Sequence, residues 1–189
     1  MPLFNHFKYL APRYDALFPD VDVPHWIQLL KLPVSGWLLD AGGGTGRIAR
    51  HLASWVGGTV VCDESMAMLK QTLQKQAVFP TCCAVERLAY PDASFARILM
   101  VDAFHHLTDQ SDAIHELYRV LEPGGILVIE EPDIRKMSVW GIALFEKLAL
   151  MRSHFRPADW IGGKFKQMGA SVSTVVEGST FWLIVEKPL

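Results

Sequence analysis

Two periods of hydrophobic and polar residues alternate along this chain. Short apolar runs bounded by glycine, proline or acidic residues predict buried strands at Gly36–Asp40, Thr59–Cys62, Phe79–Ala84, Arg97–Asp102 and Ile126–Glu130. Between them the apolar positions recur at helical spacing. Helices are predicted at residues 24–32, with proline at the start, and at Arg47–Trp55, Ser65–Lys75 and Asp109–Leu121. The last of these stops at Pro123-Gly124-Gly125, which reads as architecture: proline and glycine end a helix and turn the chain into a strand. Helices are further predicted over residues 134–151 and Pro157–Met168. Ser171–Val176 and Thr180–Glu186 form a hairpin around Glu177-Gly178-Ser179. Strands alternating with helices predict a parallel sheet covered on both faces, with the closing hairpin making one edge antiparallel.

Composition narrows this picture. At 189 residues the chain fits one domain with a sizeable core. Half of it is hydrophobic and a fifth charged, as in compact globular proteins. A net charge of −2 gives no electrostatic footprint for nucleic acid. No apolar run has the length of a membrane span, and the first residues lack a basic-then-apolar signal layout. Cys62, Cys82 and Cys83 have neither a disulfide-framework pattern nor metal-ligand spacing, and are expected to be small buried hydrophobes in a reducing, cytoplasmic setting.

The chemistry concentrates at Leu38-Leu39-Asp40-Ala41-Gly42-Gly43-Gly44-Thr45-Gly46. An apolar strand runs into a glycine loop and then into a helical pattern. Glycine permits positive φ and close approach of a ligand to the backbone, and a helix start offers unpaired N–H groups. This is a nucleotide-type cofactor site. The dinucleotide spacing G-x-G-x-x-G fails, because its last position falls on Arg47. What stands instead is D-x-G-x-G-x-G. Asp63 closes the second strand 21 residues beyond Gly42, where doubly wound folds place an acid for ribose hydroxyls.

Five ordered segments carry a resemblance. Asp40–Gly46 resembles motif I of the class I S-adenosylmethionine (SAM) dependent methyltransferases. Asp63-Glu64-Ser65-Met66-Ala67-Met68-Leu69 is similar to the family's D-x-S-x-x-M-L. Glu86–Phe95 resembles E-x-L-P-F-P-D-x-S-F of the branch that includes the ubiquinone/menaquinone methyltransferases. Asp102–Asp109 resembles L-H-H-x-x-D, and Arg119–Gly125 with the following strand and Glu131-Pro132 resembles R-V-L-K-P-G-G. Ala84 departs from the pattern, because the family usually has an acid there, and Ala96 stands where it usually has Asp.

The resemblance implies a three-layer α/β/α Rossmann-like sandwich with a mostly parallel seven-stranded sheet. It further implies a single domain over 1–189, with residues 1–32 as a covering arm and 133–160 as a substrate lid. SAM is the implied cofactor. Gly42, Gly43, Gly44 and Gly46 would meet its methionine portion. Asp40 would orient the ammonium group or stabilise the loop. Asp63 and Glu64 would serve the ribose side, and Asp102 would face the same crevice. Met66 would lie on the adenine or pack in the core. Ala84, Val85 and Glu86 would flank the adenine edge.

His105 and His106 are candidate bases, since histidine titrates near neutrality; either can equally pack the loop. Tyr14, in an arm similar to the relatives' Tyr-Asp segment, is a further candidate, as are Glu130 and Glu131. The apolar surplus in 133–160, with Met137, Trp140, Phe155 and Trp160 among it, points to a small or medium apolar acceptor, aromatic or isoprenoid, or to a homodimer patch. The competing reading is a catalytically silent SAM-binding or S-adenosylhomocysteine-binding module.

Overall fold

A computed structural model of the chain describes residue 11 and residues 14–17, 21–75, 77–136 and 153–189. The predicted helix over 134–151, with Met137 and Trp140, lies largely outside the described residues. The described elements run α1 (Tyr14–Leu17), α2 (Val23–Leu29), β1 (Trp37–Ala41), α3 (Ala49–Leu52), β2 (Gly58–Asp63), α4 (Met66–Thr72) and β3 (Phe79–Cys82). They continue with β4 (Phe95–Val101), α5 (Gln110–Val120), β5 (Leu121–Pro132), α6 (Ala158–Gln167), β6 (Ser171–Glu177) and β7 (Thr180–Glu186). The seven strands form one sheet in the order β3-β2-β1-β4-β5-β7-β6. β1 to β5 pair in parallel, and β7 is antiparallel to both β5 and β6.

Side-chain alternation along the central strands builds two cores. Leu39, Ile98, Met100, Leu127 and Ile129 point to the face covered by α5 and α6. Leu38, Leu99, Ile126 and Val128 point to the opposite face, against Trp26, Leu30, Ile48 and Leu52. In α5 the buried Ala113, Ile114, Leu117 and Val120 form one stripe, and Asp109 caps the helix by accepting from the Ser111 and Asp112 N–H groups.

Three predicted elements differ. The helix over Arg47–Trp55 is a single turn, Ala49–Leu52, followed by a 3₁₀ turn at Ala53–Trp55. Its macrodipole is correspondingly small. β5 begins at Leu121, which pairs with Phe95; the register then shifts before Ile126 pairs with Arg97, and Pro123-Gly124-Gly125 buckles out of the strand with Gly124 at φ +74. β3 stops at Cys82, leaving Ala84 on the connecting loop. The expectation of three unpaired cysteines is also corrected. The Cys62 and Cys83 sulfurs are bonded, with Cα atoms 5.9 Å apart. Parallel pairing of β2 with β3 brings together two residues 21 positions apart in the chain. Cys82 is free and exposed.

Candidate active site

The strand order reverses between β1 and β4, and the crevice at this switch point is where open α/β sheets bind ligands. The glycine loop lies at its mouth. Gly42, Gly44 and Gly46 all have positive φ, at +70, +54 and +67. The Cys62 carbonyl accepts from the Gly42 and Gly43 N–H groups at 2.8 and 3.1 Å, which ties the loop to the end of β2. A Cβ on Gly43 would fall 2.3 Å from Asp40 Cγ, so the Asp40 carboxylate is tucked beneath the loop. Burial, and then the Asp63 charge, push the Asp40 pKa up to about 7, against the opposing pull of Arg47 and the Ala49 N–H.

Asp63 closes β2. Its Oδ2 accepts from the Gly44 N–H at 2.8 Å and its Oδ1 from the Ser65 N–H at 2.7 Å. Burial raises its pKa in spite of these bonds. Asp102 follows β4 in a left-handed conformation, φ +49, unusual for a residue with a side chain. Its N–H donates to the Glu130 carbonyl at 3.0 Å. Tyr14 reaches this group from the arm. Burial and the Asp102 charge push its pKa up to about 12, so it remains a neutral phenol at physiological pH.

The other predicted residues are distributed around these acids. Met66 is exposed, and it is Met68 that enters the core. Glu64 is exposed, and its pKa is raised by burial of part of its side chain and by Glu86 and Asp63. Val85 is buried and Ala84 half-buried on the loop after β3. Glu86 turns toward the β4–α5 loop, where its Oε1 accepts from the Thr108 and Asp109 N–H groups at 2.8 and 3.3 Å.

His105 points into the protein. It is buried, its Nδ1 lies 2.6 Å from Glu131 Oε2, and its ring stacks on Phe155 with centroids 4.4 Å apart. Glu131 Oε1 also accepts from the Phe104 N–H at 2.8 Å. This pair pins the loop after β4. His106 is half-buried, with Nδ1 3.5 Å from Ser153 Oγ.

Sequence reasoning missed two features. Asp15 accepts from the Thr45 hydroxyl and from Lys75 Nζ, which fastens the arm to the glycine loop; its adjacency to Tyr14 was the available signal. The second is a cavity of about 220 Å³ between α2, the glycine loop and the closing hairpin. His25, Trp26, Arg47, Glu130 and Trp182 line it. Nothing local in the sequence links these residues.

Residues 39–129 match the family model described as a methyltransferase domain. Over this stretch, just under half of the chain, the sequence matches a methyltransferase domain, in line with the class I, SAM-dependent resemblance. It is 29% identical, over 142 residues, to the ubiquinone/menaquinone biosynthesis C-methyltransferase UbiE of Coxiella burnetii, with 66% of this chain and 57% of that protein covered. The chain thus spans a little over half the length of this curated relative. A solved SAM-dependent methyltransferase of Thermotoga maritima superposes with a TM-score of 0.77 at 21% identity, covering 96% of this chain and 97% of that one. The 4+2 cyclase SpnF superposes with a TM-score of 0.72 at 18% identity, covering 93% and 81%. At such identities these likenesses show the fold alone, and a cyclase among them shows that the fold does not dictate the reaction.

The cofactor of this methyltransferase family is SAM, and the residues present fit it. SAM carries a positive sulfonium and a positive ammonium group. Asp40, Asp63 and Asp102 converge on the loop, and burial together with mutual repulsion raises the pKa values of Asp40, Tyr14 and Glu130. A cation relieves that repulsion. Among the described residues a Cβ on Gly44 would meet Met68 Cε at 3.5 Å and Asp63 Oδ2 at 3.8 Å, ordinary contact distances, so the loop is not crowded there.

Proposed function

We propose that this chain transfers a methyl group from SAM to a small or medium acceptor with an apolar, ring-like body. The observation that carries the reading is the acid-rimmed glycine loop at the switch point, with Asp63 bonded to the Gly44 N–H. Gly42 and Gly44 would meet the methionine portion of the donor, Asp63 would take the ribose through its remaining lone pairs, and Ala84 and Val85 would border the adenine through backbone groups. Asp40 holds the loop from below.

When bound, SAM supplies a methyl group already activated by positive sulfur. What the protein adds is alignment of the acceptor with the methyl–sulfur bond and exclusion of water. Tyr14 and Asp15 serve both by closing the arm over the loop. The names of the curated relatives, which are quinone-biosynthesis enzymes, agree with a ring-bearing acceptor.

Calorimetry with SAM and S-adenosylhomocysteine, followed by transfer of tritiated methyl to a panel of aromatic and isoprenoid acceptors, tests the reading. Binding of both cofactors and labelling of a ring-bearing acceptor is expected. Binding without turnover of any acceptor would make the chain a cofactor-binding module instead.

A further inference from the structure

Glu130 and Glu131 are neighbours in sequence, yet strand alternation sends them to opposite faces of the sheet. Glu131 is consumed in holding Phe104 and His105. Glu130 lies on the face of Val128 and lines the cavity beside α2. From this division of labour, and resting on the methyltransferase reading, we infer that Glu130 is the proton acceptor of the transfer and that the cavity takes a compact aromatic ring bearing a hydroxyl group.

The cavity shares Arg47 and Ile48 with the exit of the glycine loop, and Glu130 is backbone-bonded to Asp102 at the crevice. A second cavity, near Thr108, Gln110 and Trp160, includes none of the crevice acids. A volume of about 220 Å³ admits one ring and few substituents.

The walls identify the occupant. Trp26 and Trp182 supply flat apolar surface. Trp182 Nε1 donates to Glu130 Oε2 at 2.6 Å, which fixes one carboxylate oxygen and leaves the other as acceptor. His25 packs edge-on against Trp182, centroids 4.9 Å apart, and its buried Nε2 has no hydrogen-bond partner among the described residues. An anionic acceptor is disfavoured by Asp22, Glu130 and Glu177 in the wall and by the nearby Asp102, and the Arg47 guanidinium offsets only part of that acidic charge.

The step balances. The acceptor oxygen forms the new bond to the methyl carbon, and the methyl–sulfur bond breaks with its electron pair left on sulfur. The hydroxyl proton passes to Glu130, leaving a methyl ether, a neutral thioether and a neutral carboxyl group. Burial and the Asp102 charge push the Glu130 pKa up to about 7, against the Trp182 hydrogen bond and Arg47, while Glu131 adds to the rise. A base with a pKa near the working pH suits this task.

The test uses the full chain loaded with S-adenosylhomocysteine, with p-cresol as probe and 4-methylbenzylamine as its cationic counterpart, by calorimetry across neutral pH. Wild type is expected to bind p-cresol more tightly than the amine. Its affinity should rise about tenfold as Glu130 ionises, because a charged acceptor makes the stronger hydrogen bond. E130Q, which preserves the acceptor for Trp182, should lose about tenfold in affinity and lose the pH dependence, and E130D should restore the dependence in part. Equal p-cresol affinity and pH profile in E130Q, tighter binding of the amine, or no saturable binding of p-cresol to a cofactor-loaded protein would each overturn the assignment. Failure to bind S-adenosylhomocysteine at all would instead overturn the methyltransferase reading beneath it.

Discussion

Lys75 Nζ lies 2.7 Å from Asp15 Oδ2, joining α1 to the chain just beyond α4. The same ammonium donates to the Thr45 carbonyl at 2.6 Å, and the Thr45 hydroxyl donates back to Asp15. Three segments distant in sequence thus meet at the glycine loop. Burial pushes the Asp15 carboxyl up, but the hydrogen bonds from Lys75 and Thr45 outweigh it and leave the pKa lowered. A depressed carboxylate contributes above its unfolded pKa, and the contribution is lost as pH falls through the folded value. D15A and K75M are each expected to weaken SAM binding by about 1 kcal/mol, roughly fivefold. The double variant should be little worse than either single one, because both remove the same closure. Calorimetry on the three proteins decides it, and full additivity would show that arm and loop act separately.

Much of this architecture is legible in the sequence, and the reasons are local. Each central strand is a short apolar run, and parallel strands buried on both faces leave that mark. The glycine loop is legible because Gly44 and Gly46 need a conformation that other residues resist. Asp63 is legible because a strand end fixes where its side chain emerges. The cavity around Glu130 is not, since α2, the glycine loop and β7 meet there only after folding. The roles of Glu130 and Glu131 are hidden for a related reason: period-two alternation separates them, but only tertiary packing shows which face holds the cavity. The Cys62–Cys83 pairing is likewise a product of strand register.

The loop after β4 is expected to depend on the His105–Glu131 pair for its fold. Both side chains are buried, and removing one partner leaves the other without its hydrogen bond. H105A and E131Q are expected to cost about 3 kcal/mol each, lowering the melting temperature by roughly 6–12 °C. H106A, with a half-buried ring, should cost less than about 1 kcal/mol. Urea or thermal unfolding followed by circular dichroism measures all three. A stable H105A that has lost only turnover would move His105 from architecture to chemistry.

Asp63 is predicted to govern affinity for the nucleoside half of the donor. Asp63→Ala removes the acceptor of the Gly44 and Ser65 N–H groups along with the ribose contact. A loss of about 2 kcal/mol, roughly thirtyfold, is expected. It should fall on both SAM and S-adenosylhomocysteine, because both carry the same sugar. Equilibrium dialysis with labelled cofactor checks this, and unchanged retention would remove Asp63 from the site.

Donor binding should release protons near neutrality. Asp40 and Glu130 have pKa values raised to about 7 by burial and by neighbouring acids, and Asp63 is raised as well. A raised carboxyl holds its proton in the folded chain between its unfolded pKa and its folded one, so stability falls as pH rises through that window and levels off above it. A bound sulfonium favours the ionised forms and lowers those pKa values. By linkage, affinity for SAM must then rise with pH through about 7, up to tenfold per unit for each proton fully released. S-adenosylhomocysteine, neutral at sulfur, should respond less. Calorimetry in buffers of different ionisation enthalpy reads the proton release directly. A ratio of SAM to S-adenosylhomocysteine affinity that stays flat across neutral pH would mean that the buried acids do not sense the sulfonium, and that they serve the loop alone.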